Sequence, residues 1–253
     1  EKAIIVEEEI LIDNSNLSWE FKKLENITFE SKLIISSVNI KSGLVFIKCT
    51  FKKGVEFQDI YTDFMISHNN PFNYSILFNN CKGDYIKIYE SPNISRGLLF
   101  EDECLFDKVS IIKSSLSEIK IRNSRINKLL DLSNVKADEL RLDENHLKKH
   151  LRIESFKGDI SLISNVFDDW AKFWNIDINN SLALNKNKFN GEFEIEASRI
   201  EGFFIHENTF NKQFLLENRD TSGANHEAYC NEIYITKAKF LEGADFNGLS
   251  KKN

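Results

Sequence analysis

Proline is almost missing from this sequence, glycine is thin, and methionine occurs once. Two prolines, Pro71 and Pro92, and ten glycines in 253 residues leave no Pro/Gly/Ser-rich stretch to act as a linker, so a single domain over 1–253 is expected. No apolar run approaches the ~18 residues that a membrane-spanning helix needs. The four cysteines, Cys49, Cys81, Cys104 and Cys230, lie far apart and form no C-x-x-C, which argues against a zinc site. At least three of them read instead as small core residues, a mild pointer to a reducing compartment and so to a cytoplasmic location. Positive charge is not in excess: the formal net charge is −6, with both signs interspersed. A nucleic-acid partner needs a basic stripe and is not expected. There is no G-x-S-x-G elbow, no P-loop and no G-x-G-x-x-G, so no cofactor and no catalytic residue is assigned. An active site assembled from separate turns of a solenoid would leave no such local motif. The first residue is Glu1, which leaves native extensions open.

What is present in excess is phenylalanine, 21 residues of it, and a repeat. Apolar residues separated by one position recur at intervals of 10 or 11 almost throughout, or close to twice that where a unit is missing: Leu33/Ile35, Leu44/Phe46, Val55/Phe57, Ile76/Phe78, Ile86/Ile88 and Leu98/Phe100 open the series, and Phe203/Ile205, Phe214/Leu216, Ile233/Ile235 and Ala244/Phe246 close it. Five residues after the first apolar stands something small or amide-bearing (Cys49, Cys81, Ser124, Asn187, Ser198, Asn208, Ala238). Two further on comes another large apolar residue, as at Phe51, Ile126, Phe189, Ile200, Phe210 and Phe240. Alternation over three residues is a short strand with one face buried. Many such strands, at even spacing and without hairpin turns, predict an all-β, parallel β-helix. Two units make a coil of roughly 21 residues, and about ten coils are expected, each ~4.8 Å above the last. Asparagine at the small position is placed to stack as amide ladders.

The sequence resembles the pentapeptide-repeat family in Cys49-x-Phe51, Asn187-x-Phe189, Asn208-x-Phe210, Ala238-x-Phe240 and Ala244-x-Phe246, with the stretch 240–246 the closest match. That resemblance implies a right-handed β-helix, often a non-enzymatic interaction surface or a regulatory part of a larger protein.

The period is poor over 1–26, where Ile10, Ile12, Leu17, Trp19 and Phe21 read as an N-terminal cap on repeats spanning 27–246, with 247–253 as a tail. Three segments interrupt the repeat: 58–75 (with Asp63, His68, Pro71 and Phe72), 168–174, and 217–231 (with Gly223, His226 and Tyr229). Solenoid insertions map to surface loops. Trp170, Phe173 and Trp174 are therefore candidates for a partner-binding patch, against the alternative of aromatics packed on the coil. The residue between each apolar pair points outward, so Leu77 and Leu99 on one face, and Leu215 and Tyr234 on the other, are further candidates unless the loops cover them. Glu154, Glu194, Glu196 and Glu217 are expected to line one face. His146 and His150, four apart, lack a third ligand, so no metal is assigned. The reading is a non-enzymatic module with a protein partner and an undetermined oligomeric state. A carbohydrate-binding or polysaccharide-degrading β-helix and a passive scaffold stand as alternatives.

Overall fold

A computed structural model describes residues 4–13, 18–19, 22–40, 43–62, 74–217 and 229–246. All of the regular structure is β, in a parallel solenoid of about 9 turns with about 22-residue spacing. The count is one turn below the sequence estimate because two stacking steps are long. Val55 pairs with Leu33 below it and Ile86 above it, and Phe214 with Phe193 below and Ala244 above. The upper step in each case is roughly ten residues longer than the lower. These steps enclose most of 58–75 and 217–231. Asp63, His68, Pro71, Phe72, Gly223 and His226 lie outside the described residues.

Each coil has four faces. In one of them Val109 and Ile111 belong to face 1, Leu116 to face 2, Ile119 and Ile121 to face 3 and Ile126 to face 4, and all six point inward and are buried. The next coil places Leu130/Leu132, Ala137, Leu140/Leu142 and Leu147 directly above them. Faces 1 and 3 oppose each other across one continuous core, where Phe57 of face 1 meets Phe78 of face 3 with ring centroids 6.1 Å apart. Stacking like on like explains the phenylalanine excess. Phe167, Phe189, Phe210 and Phe240 form a column on face 4 with centroid spacings of 4.7, 4.8 and 5.0 Å and nearly parallel rings. Phe46, Phe78 and Phe100 form another on face 3. The spacing equals the strand separation of a β-sheet, so each ring packs on its copy at no cost in register.

The corners follow from one backbone choice. After each two-residue inward pair comes one more strand residue and then a residue with positive φ: Lys48, Asn80, Asn123, Glu144, Ser164, Lys186, Ala197 and Glu207 are examples. That left-handed residue turns the chain, and the small residue after it tucks into the core. Most of these positions are not glycine, so each carries steric cost. The cost is offset by what the next residue does. Asn145, Asn165, Asn187 and Asn208 each donate Nδ2 to the carbonyl of the face 3 residue one coil below (Ile121, Leu142, Leu162 and Leu184), all at 2.7 Å. Cys81 and Cys104 donate Sγ in the same way, to the carbonyls of Phe46 and Phe78. The expected amide ladder is thus present, and the cysteines are its thiol counterpart. All four cysteines are free and buried.

Two expectations are corrected. Residues 4–13 and 22–25 form a coil like the others: Ile10 and Ile12 sit under Leu33 and Ile35, and Leu24 under Phe46. Its period is hard to read because Lys22 stands where an inward apolar residue is usual. The stretch 168–174 is no insertion either. Ala171 and Phe173 are the inward pair of an ordinary coil, between Leu151/Ile153 and Phe193/Ile195. A small alanine at an inward position, between two outward tryptophans, inverts the sequence pattern without changing the fold. No helix of the described residues is long and apolar enough to cross a membrane.

Candidate functional site

Face 1 carries its outward side chains in three rows: one before the inward pair, one within it and one after it. Reading up these rows, a single coil places Tyr85, Lys87 and Tyr89 side by side, and the coil four steps later places Trp170, Lys172 and Trp174 at the same positions. Aromatic, lysine, aromatic therefore occurs twice on one flat face. The two belts stand about 19 Å apart along the axis, and each is about 13 Å wide. All six side chains are half-buried.

The belts are held by named contacts. Gly54 lies under Tyr85: a Cβ there would come 2.6 Å from the Tyr85 ring, so only glycine lets the ring lie down. The Tyr85 hydroxyl then donates to Glu56 Oε1 at 2.9 Å, and the Tyr89 hydroxyl to Gln58 Oε1 at 2.7 Å. Lys87 Nζ stands 4.1 Å from the Tyr89 ring centroid, within cation–π range. In the second belt, Trp170 stacks on His150 of the coil below at 4.3 Å. Lys172 reaches up to Glu194 and Glu196, at 3.1 and 3.2 Å. Burial, and then the Glu196 carboxyl beside it, push the Glu194 carboxyl above the ordinary range. Burial works against the charge on Lys172, but its two glutamate partners outweigh that and hold its pKa up.

Between the belts lies a polar floor. Asp131 is 2% exposed although it points outward. Arg152 covers it, donating Nε and Nη2 to its two oxygens at 2.9 and 2.6 Å, and Ser133 donates to it at 2.7 Å. One coil down, Ser110 is equally buried, and its hydroxyl has no hydrogen-bond partner among the described residues. Buried polar atoms in native proteins nearly always have a partner. A groove of about 540 Å³ borders this floor at the corner of faces 1 and 2, with Lys113, Lys136 and Lys157 along it.

The sequence candidates fall in different places. Trp170 and Trp174 belong to the second belt. Phe173, between them, points into the core and is fully buried, so it is not a contact residue. Leu215 is half-buried on face 1, two coils beyond the tryptophans. Tyr234 is not on that face. It belongs to face 3, in the same outward row as Leu77 and Leu99 but at the other end, where it stacks on Phe204 at 5.2 Å with both rings exposed. Leu77 and Leu99 are buried. With Val45 they form a small second cluster outside the coil, packed against Ile47 and Tyr74, and the Tyr74 hydroxyl is fixed by Glu118 at 2.9 Å. They are packing residues. Tyr85, Tyr89 and Phe204 were not singled out from the sequence. The signal was available for the tyrosines, since they flank Ile86/Ile88 as the tryptophans flank Ala171/Phe173.

The acidic residues line up as expected. Glu154, Glu196 and Glu217 share a row with Trp174, and Glu194 stands in the next row. His146 and His150 turn to different carboxylates. His146 Nε2 is 2.6 Å from Asp168, whereas His150 Nδ1 is 3.8 Å from Asp169. Among the described residues no group of three His, Cys, Asp or Glu side chains could hold a metal ion. No family model, no curated protein and no solved structure matches the chain.

Proposed function

We infer that this chain is a non-enzymatic β-helical binding module, and that the face 1 strip from the tyrosine belt to the tryptophan belt recognises a macromolecular ligand. The observation that carries the reading is the repeated aromatic–lysine–aromatic arrangement on one flat, uninterrupted face. Tyrosine and tryptophan supply large contact areas at low conformational cost and dominate binding energetics where they are presented in clusters. A solenoid serves such a role well, because successive coils hold the contacts at fixed spacing. Arg152 engages Asp131 within the strip, and Lys172 engages Glu194 and Glu196 just beyond it, which suits a surface that positions a ligand more than one that transfers protons. Divergent kinship with pentapeptide-repeat proteins is part of the same proposal and rests on the small-x-phenylalanine units such as Asn187-x-Phe189.

The test is affinity capture from native extract by three forms of the chain: wild type, Trp170→Ala/Trp174→Ala, and Phe204→Ala/Tyr234→Ala. A ligand kept by the face 3 variant and lost by the face 1 variant supports the reading. Equal retention by both removes the strip from it. A second reading, a polysaccharide-degrading enzyme, draws on the Glu194 and Glu196 pair beside Lys172, since a pair of carboxyls is the usual equipment for glycoside cleavage. New reducing ends or unsaturated products from a polysaccharide incubated with the chain would favour it.

A further inference from the structure

Face 3 carries a column of outward rings that stops one rung short. Phe204 and Tyr234 stack with centroids 5.2 Å apart and planes 2° from parallel, at 38% and 52% exposure. Phe204 can lie along the sheet because Gly202 stands beside it: a Cβ there would come 2.8 Å from the ring. Tyr234 sits one coil above and covers the upper face of Phe204. The lower face is turned to the coil below, where the residue in register is Ala183, with Ser161 below that. Over these two small residues the surface is recessed, and the free face of Phe204 is the upper wall of the recess. The next rung, ~4.8 Å down, has no ring of its own.

The polar groups around the recess are acceptors. Asn185, two residues along the strand from Ala183, has a buried side-chain oxygen with no hydrogen-bond partner among the described residues. Two coils below it in the same row, Asp143 is 8% exposed. One of its oxygens takes a bond from Arg141 at 2.7 Å, and the other has no partner among the described residues. Buried polar atoms nearly always have one. On the other side of the recess the Asp159 carboxylate is held by neutral donors, the N–H and Nδ2 of Asn180 at 3.0 and 2.8 Å, and makes no ion pair among the described residues. From the coil of Ser161 to the coil of Tyr234, no outward position of face 3 among the described residues is Lys or Arg, while Asp159 and Glu232 are acids. His206, directly above Asn185, is turned to Glu207 at 3.4 Å.

A ligand for this recess is flat, so that it stacks on Phe204 as the missing rung. It is rich in hydrogen-bond donors, and it is positive. The guanidinium of arginine has all three properties: it is planar, carries five N–H donors and no acceptor, stays charged and stacks on aromatic faces. A lysine ammonium brings the charge without the plane. A sugar ring or a nucleobase brings acceptors of its own, and the phosphate of a nucleotide is repelled by Asp159 and Glu232. We propose that the recess under Phe204 binds an arginine side chain of a protein partner, its guanidinium stacked on the free face of Phe204 over Ala183 and its N–H groups directed to the Asn185 side-chain oxygen and to Asp159. Asp143 continues the row of acceptors along the segment that carries the arginine. Face 3 lies across the core from the face 1 strip, so this site does not depend on that one.

The experiment titrates the full chain by calorimetry with a short alternating Gly/Arg peptide and with its Gly/Lys counterpart. Wild type is compared with Phe204→Ala, with Ala183→Phe and with Glu90→Gln, and each variant's melting curve is recorded. Ala183→Phe fills the vacant rung with a ring of the chain's own and leaves Asn185 and Asp159 in place. Glu90→Gln removes one negative charge away from face 3. The expected result is that the arginine peptide binds and the lysine peptide binds several-fold more weakly. Affinity for the arginine peptide falls roughly tenfold in Phe204→Ala and in Ala183→Phe, and stays about unchanged in Glu90→Gln. Failure of the arginine peptide to bind, equal affinity for the two peptides, or binding that survives both face 3 substitutions overturns the proposal. A loss in Glu90→Gln as large as in Ala183→Phe overturns it as well, because the attraction is then to net charge alone. If the melting curve shows Ala183→Phe unfolded, Phe204→Ala decides. None of these outcomes bears on capture by the face 1 strip.

Discussion

The side-chain oxygen of Asn187 accepts two hydrogen bonds from Asn165, one from its backbone N–H at 2.9 Å and one from its Nδ2 at 3.0 Å. Asn187 in turn gives the same two bonds to Asn208. Each amide so accepts the corner N–H of the coil below while itself buried in the core. Replacing Asn187 by alanine strands both donors of Asn165 and withdraws the donor to Leu162. The expected loss is about 2–4 kcal/mol, measured by chemical denaturation, and a change under 1 kcal/mol would show that the ladder is ornamental.

Ala197 holds a left-handed conformation, φ 46°, at a corner where Asn123, Asn134 and Asn175 do the same work elsewhere. Asparagine tolerates this region and alanine does not. Ala197→Asn is expected to raise stability by about 0.5–1 kcal/mol, read as an upward shift in melting temperature.

Arg152 is the cover of a buried carboxylate. Arg152→Ala leaves Asp131 charged and without its cation, at an expected cost of about 2–3 kcal/mol; that is less than for a fully enclosed pair because water can reach the vacated space. Asp131→Asn in the same chain should return part of that loss. A double mutant no more stable than Arg152→Ala alone would count against the pairing as the cause.

Burial pushes the Cys104 thiol up to about 12 and Cys230 up to about 11, and drives Cys81 up as well. Thiolate is the reactive form, so these three should resist iodoacetamide at pH 8 in the native chain and react promptly in denaturant. Mass spectrometry of the alkylated protein decides it.

Leu77 and Tyr234 share an outward row but not a fate. Leu77→Ala is expected to cost about 2–5 kcal/mol, as for a core residue. Tyr234→Ala, at an exposed ring, should change stability far less. Equal losses would mean that the small cluster around Leu77 does not hold.

The inward pairs, the small position and the asparagine ladder were legible because like residues stack on like, which makes the period visible along the chain. The left-handed corner was not: lysine, glutamate, serine and alanine all occupy it, and they share only a backbone angle. The tryptophan belt reads as an insertion in the sequence, since Ala171 is too small to mark an inward position. The tyrosine belt leaves no mark of its own in the period, because its tyrosines lie in the outward rows, where no residue type recurs from coil to coil. Which residues of a solenoid end up side by side depends on coil register, and the two long steps shift that register by amounts no local pattern announces. Leu215 and Tyr234, similar in sequence context, fall on opposite faces for this reason.

The distance between the tyrosine and tryptophan belts is a whole number of coils and cannot be anything else. Removing the residues from Leu130 to the one before Leu151 would join two coils whose ends already match and bring the belts one notch closer, and duplicating them would move the belts one notch apart. The molecule is in this sense a ruler with integer graduations. Its reach could be reset by gain or loss of one repeat, without any change in the chemistry of either mark.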